Sequence, residues 1–225
     1  MKPIYIYYVN LKNNPIPNNV ANELLRLTDN TTVNRVKRYY YDADKIRTIL
    51  GEVLIKYCLA KNFGIELYRA TIYRTRMGKP VYAEGNVNFS ISHKEDIVVC
   101  AVSKLKVGID IELIKENPNF GVIKRFFSDE EKSRICACTS REAQARLYYQ
   151  LWTQKEAAYK IENVVYLNKK SSKSQYEYSE IDVSNSYVCS LCHMKNNANL
   201  LIREVFVNDI INFCKTWKDK QDGCK

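Results

Sequence analysis

Val107-Gly108-Ile109-Asp110-Ile111-Glu112 is the stretch from which the rest of the chain can be read. Apolar residues at 107, 109, 111 and 113 alternate with Gly108, Asp110 and Glu112, the period-two pattern of a β-strand. Asp110 and Glu112 therefore share one face with Gly108. Two carboxylates side by side repel each other and need a compensating cation. Two readings fit: an oxygen-ligand site for a hard metal ion, or a solvated outer face. The strand alone does not choose between them.

On the C-terminal side the signals are helical. A polar turn at Asn117-Pro118-Asn119 precedes a helix ending near Phe126-Phe127. Ser128 and Glu131 have capping-box spacing, which gives Glu131 a structural reason to exist. Thr139-Ser140-Arg141-Glu142 is a second such box, and the helix it opens runs to about Glu162. Trp152, Glu156 and Lys160 are spaced by four on that helix and line one face. The pair 156 and 160 also fits an ordinary surface ion pair, worth only about 0.3–0.5 kcal/mol. Beyond a Lys- and Ser-rich loop at 169–174, strands are expected at 176–183, 187–192 and 200–206, then a lysine-rich tail after Cys214.

On the N-terminal side a first strand ends at Val9, and a helix carries Val20, Leu24 and Leu27 on one face. A basic helical stretch, Thr32 to Tyr40, brings Arg35, Lys37 and Arg38. The helix expected from about Ala43 to Lys61 has apolar positions at the 3.6 period, and Gly64 follows its end. Lys45, Arg47 and Thr48 lie near its start, where cations and free amides could hold a phosphate or simply face water. A short strand at 71–74, a turn at Met77-Gly78-Lys79-Pro80 and strands at 87–92 and 96–103 follow, with His93 in the connection between the last two. Each half reads strand, helices, strands. A boundary near 105 gives halves 1–105 and 106–225.

The 225 residues carry a net charge of +10, which favours anionic partners such as phosphates, nucleic acid, an acidic protein or a membrane surface. No apolar run approaches a membrane span, and the N-terminus lacks a signal-peptide pattern, so a cytoplasmic protein is expected. Cys189-Ser190-Leu191-Cys192-His193 matches a haem-attachment pattern, but it falls within an expected strand and reads as core. A basic nucleic-acid-binding protein would leave Asp110 and Glu112 unexplained, since acids repel phosphate unless a metal bridges them. A Mg²⁺-dependent nuclease would explain the acids but not the order of the surrounding motifs.

That order resembles the 4'-phosphopantetheinyl transferase superfamily, of the two-half, surfactin-synthetase-activating type. The resemblance rests on Gly78-Lys79-Pro80, Phe89-Ser90-Ile91-Ser92-His93, Val107 to Glu112, Arg125-Phe126-Phe127-Ser128 with Glu131, and Trp152-Thr153-Gln154-Lys155-Glu156-Ala157-Ala158-Tyr159-Lys160. It implies an α+β fold, a pseudo-twofold pair of similar α+β halves with the active site in the cleft between them. It implies transfer of 4'-phosphopantetheine from coenzyme A to a serine of an acidic acyl or peptidyl carrier protein, giving 3',5'-ADP, by a monomer with no nucleic-acid or membrane partner. By the same resemblance Asp110, Glu112, Glu156 and Glu131 would hold Mg²⁺ (or Mn²⁺). Glu156 or a metal-ordered water would be the base, and Lys160 would neutralise or protonate the leaving group. Arg35, Lys37, Arg38, Arg47, Thr48, Lys79, Ser92, His93 and Lys155 would contact coenzyme A. Ile161 to Leu167 departs from the glycine-rich turn of many members.

Overall fold

The computed structural model of the chain describes residues 2–222 apart from 68, 77, 119, 163–174 and 196–197. Residues 163–167 of the segment replacing the glycine-rich turn, and the Lys/Ser-rich loop, therefore lie outside the described residues.

Two antiparallel hairpin-based sheets pack face to face. The first half contributes β1 (Pro3–Asn10), β4 (Asn88–Lys94) and β5 (Ile97–Ser103), ordered β4-β5-β1. The second contributes β6 (Val107–Leu113), β7 (Tyr176–Glu180) and β8 (Tyr187–Met194), ordered β7-β8-β6. Each first strand leads through short helices into a 22-residue helix, α3 (Asp42–Phe63) or α6 (Arg141–Glu162), and then a hairpin. The two halves thus repeat one α+β plan. Alternation buries Ile4, Ile6, Ile97 and Val99 of one sheet against Ile109, Ile111, Cys189 and Leu191 of the other. α3 covers the outer face of the first sheet, and α6 packs on β6 and β8. The remaining elements are α1 (Asn18–Leu25), α2 (Asn30–Val36), the hairpin β2 (Ile72–Arg74) and β3 (Pro80–Tyr82), α4 (Phe120–Phe126) and α5 (Asp129–Cys136).

The chain crosses back at its end. β9 (Asn199–Glu204) pairs in parallel with β1, Pro3 opposite Asn199, and α7 (Val207–Asp222) buries Val207, Ile210, Ile211 and Cys214 in the core around α3. A division at 105 leaves this return out, because these segments complete the first half. α7 runs on past Cys214 through the lysine-rich stretch expected to be a frayed tail, and its positions 207, 210, 211 and 214 have helical spacing.

With α1, α2 and α7 around it, α3 is buried continuously from Thr48 to Ala60, not on one face alone. Its polar members there pair. Lys56 Nζ lies 2.5 Å from Asp29 Oδ1 and 3.3 Å from Glu52 Oε1, and donates to Leu27 O at 3.1 Å. Asp29 in turn accepts from Ile72 N, linking β2 to α3. Removing one partner from such a cluster leaves uncompensated charge indoors. Lys56→Met is expected to lower stability by about 3 kcal/mol, measured by urea unfolding. A loss under about 1 kcal/mol would show that the cluster holds nothing together.

Two local expectations shift, and the core reading of Cys189 to His193 holds. His93 lies in β4 itself, opposite Val98, because the connection is only Glu95 and Asp96, with Glu95 at φ 46°. The second capping residue is Ser140, not Thr139: its Oγ accepts from Ala143 N at 3.1 Å. Cys189 and Cys192 sit in different core clusters, which opposes a shared ligand. Burial pushes the Cys189 thiol up, and His193 is buried beside Ser179.

Candidate active site

β6 carries Asp110 and Glu112 toward the second half's long helix. The backbone approach there is very close. A Cβ on Gly108 would stand 1.9 Å from the carbonyl oxygen of Ala157, so only glycine lets α6 lie against the strand. Small Ala157 and Ala158 keep that seam narrow, and Glu156 and Lys160 flank it.

β4 and β6 belong to different sheets and are stitched by side chains. Ser90 Oγ accepts from Ile109 N at 2.9 Å, and Ser92 Oγ donates to Asp110 Oδ1 at 2.8 Å. Lys94 pairs with Glu112 Oε2 at 2.7 Å. Lys160 Nζ closes the seam, donating to Ile91 O at 3.1 Å, Ile109 O at 2.9 Å and Asp110 Oδ1 at 2.8 Å. All three ammonium donors are thus engaged by the protein. Glu156 is half-buried. Desolvation, helped by Asp110 and Glu112 and opposed by Lys160, raises its carboxyl above the ordinary range. These three acids feel one another, yet among the described residues no group of three or more acids, histidines or cysteines is gathered closely enough to hold a metal ion.

Beside the acids opens a cavity of about 310 Å³, lined by Arg35, Arg47, Thr48, Arg74, Ser92, His93 and Lys160 among others. It is strongly cationic. Arg35 donates to Thr48 Oγ1 at 3.2 Å, while no described acceptor meets its buried Nε. Burial and the facing Arg35 lower the Arg74 pKa. Arg47 is bound to Asp44 and to the carbonyl of Glu95. His93 opens to solvent at this cavity, yet crowding desolvates it, and with Arg47, Lys160 and Arg35 lowers its pKa. An unmet buried donor among converging cations marks an anion site.

Not every expected residue joins. Lys37 and Arg38 are exposed and do not line the cavity. Lys79 lies in two adjoining clefts, its pKa lowered by burial and by Lys106; one of those clefts also contains Glu156, Tyr159 and Lys160. Lys155 is bound to Glu131 Oε1 at 2.9 Å and lies over the Phe127 ring, away from the cavity lining. Glu131 Oε2 accepts from Ser128 N at 2.8 Å within a complete capping box, so both its oxygens already serve the chain. Arg74 is the residue that the sequence reading missed. Its signal was the hairpin register, which sets Arg74 opposite Pro80 and so beside the Gly78-Lys79-Pro80 turn.

Residues 14–105 match the family 4'-phosphopantetheinyl transferase, N-terminal, and residues 106–171 match the 4'-phosphopantetheinyl transferase superfamily. The chain belongs to that superfamily. It is 35% identical over 124 residues to a 4'-phosphopantetheinyl transferase of Bacillus subtilis, covering 55% of this chain and 54% of that protein. It is 28% identical over 195 residues to the 4'-phosphopantetheinyl transferase gsp of Aneurinibacillus migulanus, covering 78% and 80%. It is 32% identical over 129 residues to the 4'-phosphopantetheinyl transferase Sfp of Bacillus subtilis strain 168, covering 57% of each. The chain spans little more than half the length of two of these relatives in the matched region.

Proposed function

We propose that the chain transfers the 4'-phosphopantetheine group of coenzyme A to a serine hydroxyl of an acidic acyl or peptidyl carrier protein, releasing 3',5'-ADP. One observation carries this reading: a cationic cavity built by the first half abuts carboxylates of the second, with Lys160 lining the cavity while bonded to Asp110. A ligand rich in phosphate at one end and reacting at a phosphorus suits that junction. Both sides of the site come from one chain, so a monomer suffices.

Asp110, Glu112 and Glu156 are hard oxygen donors with mutual repulsion, the donor chemistry that suits Mg²⁺ or Mn²⁺, although in this structure they are not gathered around one point. When bound there, the ion would neutralise pyrophosphate charge. Arg35, Arg74 and His93 bind and orient the phosphates. Glu156, made more basic by its surroundings, takes the proton of the serine hydroxyl. The serine oxygen bonds to the β-phosphorus, the bridging P–O bond breaks, and 3',5'-ADP leaves with the electron pair. Lys160 acts here by its charge and by fixing Asp110, since its N–H groups are already engaged. Glu131 and Lys155 brace α5 against α6.

Among the described residues no helix is long and apolar enough to cross a membrane. The described cysteines are free thiols, which suits a reducing cytoplasm. The direct test mixes protein, coenzyme A, Mg²⁺ and an apo carrier, and reads the carrier's mass by spectrometry. No pantetheine increment over fatty-acid, polyketide and peptide carriers would overturn the proposal.

His93 adds a pH signature. Its pKa is depressed by burial and neighbouring cations, and a bound phosphate would lift it, so binding takes up a proton. Affinity for 3',5'-ADP, by calorimetry without metal, is expected to rise as pH falls from 8 to about 5.5. His93→Asn should flatten that slope. An equal slope in the variant would remove His93 from the site.

A further inference from the structure

The row of β4 side chains facing β6 runs Ser90, Ser92, Lys94, and its last member carries a full charge. Lys94 Nζ is 2.7 Å from Glu112 Oε2, with side-chain exposures of 32% and 21%. A half-sheltered pair of this kind is screened less than a surface pair. Lys94 stands where β4 is held rigidly in a two-residue hairpin, opposite Ile97. The strand pairing fixes the Lys94 backbone within its stem's reach of Glu112.

Glu112 is one of three carboxylates that the proposed function gives to a divalent ion, and the inference rests on that reading. We propose that Lys94 is a positioning residue that competes with the divalent cation for Glu112, so that the chain's own ammonium sets how tightly the ion is held before coenzyme A arrives. Asp110 is similarly shared with Lys160, but Lys160 also ties two backbone carbonyls and cannot be altered without disturbing the seam. Lys94 has the cleaner test.

The full-length protein without coenzyme A is titrated with Mn²⁺, free ion being followed by electron paramagnetic resonance. Lys94→Gln keeps most of the stem and removes the charge. It is expected to bind Mn²⁺ about three- to tenfold more tightly than the parent, and Lys94→Arg to bind like the parent. Melting of each variant in EDTA, then with Mn²⁺, reads the same competition: Lys94→Gln should gain the larger upward shift. Unchanged or weaker Mn²⁺ binding by Lys94→Gln would overturn the proposal. Glu112→Gln separates the two levels. If it binds Mn²⁺ as the parent does, Glu112 is no ligand, and the metal assignment falls together with the competition. If it binds weakly while Lys94→Gln is unchanged, only the competition falls.

Discussion

Gly108→Ala is expected to cost about 3–5 kcal/mol of stability and most of the turnover. The added methyl would lie 1.9 Å from Ala157 O, 2.9 Å from Ala157 C and 3.0 Å from Ile161 Cγ1. Two of those atoms are helix backbone, which cannot swing aside as a side chain can. α6 must move away from β6, and Glu156 and Lys160 move with it. Lys160 would then lose its reach to the Ile91 and Ile109 carbonyls. For a chain of this size the melting point should fall by about 10 °C. Gly51→Ala is the comparison, since its nearest neighbour is the mobile tip of Ile91 at 3.0 Å. That variant should lose less than about 1 kcal/mol. A melting point for Gly108→Ala within about 2 °C of the parent would show that the strand and helix are not held at this distance.

Glu156→Gln should have the opposite profile: loss of turnover by about a thousandfold or more, with folding kept. Glu156 makes no described ion pair, so the amide breaks none of the contacts that hold α6 in place. It removes both the raised-pKa base and one expected oxygen ligand. Single-turnover transfer to a carrier gives the rate, and calorimetry with 3',5'-ADP shows whether the cationic cavity survives. Glu131→Gln gives a contrast. Glutamine also completes a capping box, so the cap is kept, the Lys155 ion pair is lost and turnover should fall a few-fold at most. Turnover of Glu156→Gln within about threefold of the parent would strip Glu156 of its assigned chemistry.

What could be read from the sequence follows the range of each interaction. The alternation at Val107 to Glu112 is local, and β6 has the faces expected of it. The Ser128–Glu131 box is local as well, and it forms. Of the two readings left open for the acid face, the solvated one does not hold for Asp110. Asp110 is buried under α6, and its charge is met by Lys160 from fifty positions away in the chain. Gly108 needs an explanation that no local pattern contains, the passage of a helix backbone over the strand. Arg74 and Lys94 were passed over for the same reason. Each is one cation in a short polar context, and only the register of a hairpin or the pairing of two sheets gives it a neighbour. Lys37 and Arg38 show the reverse error. They were grouped with Arg35 by proximity in sequence, but one short helix points Arg35 into the cavity and leaves its successors in water.

The return of β9 to β1 bears on how the protein is made. β1 lies in a four-stranded sheet whose partner β9 is synthesised after every strand of the second half. Until then one edge of β1 offers unpaired amides and carbonyls, and the core around α3 lacks Val207, Ile210 and Ile211. The second half, from β6 through β8, can close its own sheet earlier. Nascent chains should therefore pass through a stage in which the later-born half is ordered while the earlier-born half waits. Contacts between such distant segments are slow to form, and the waiting edge is where a chaperone would be needed.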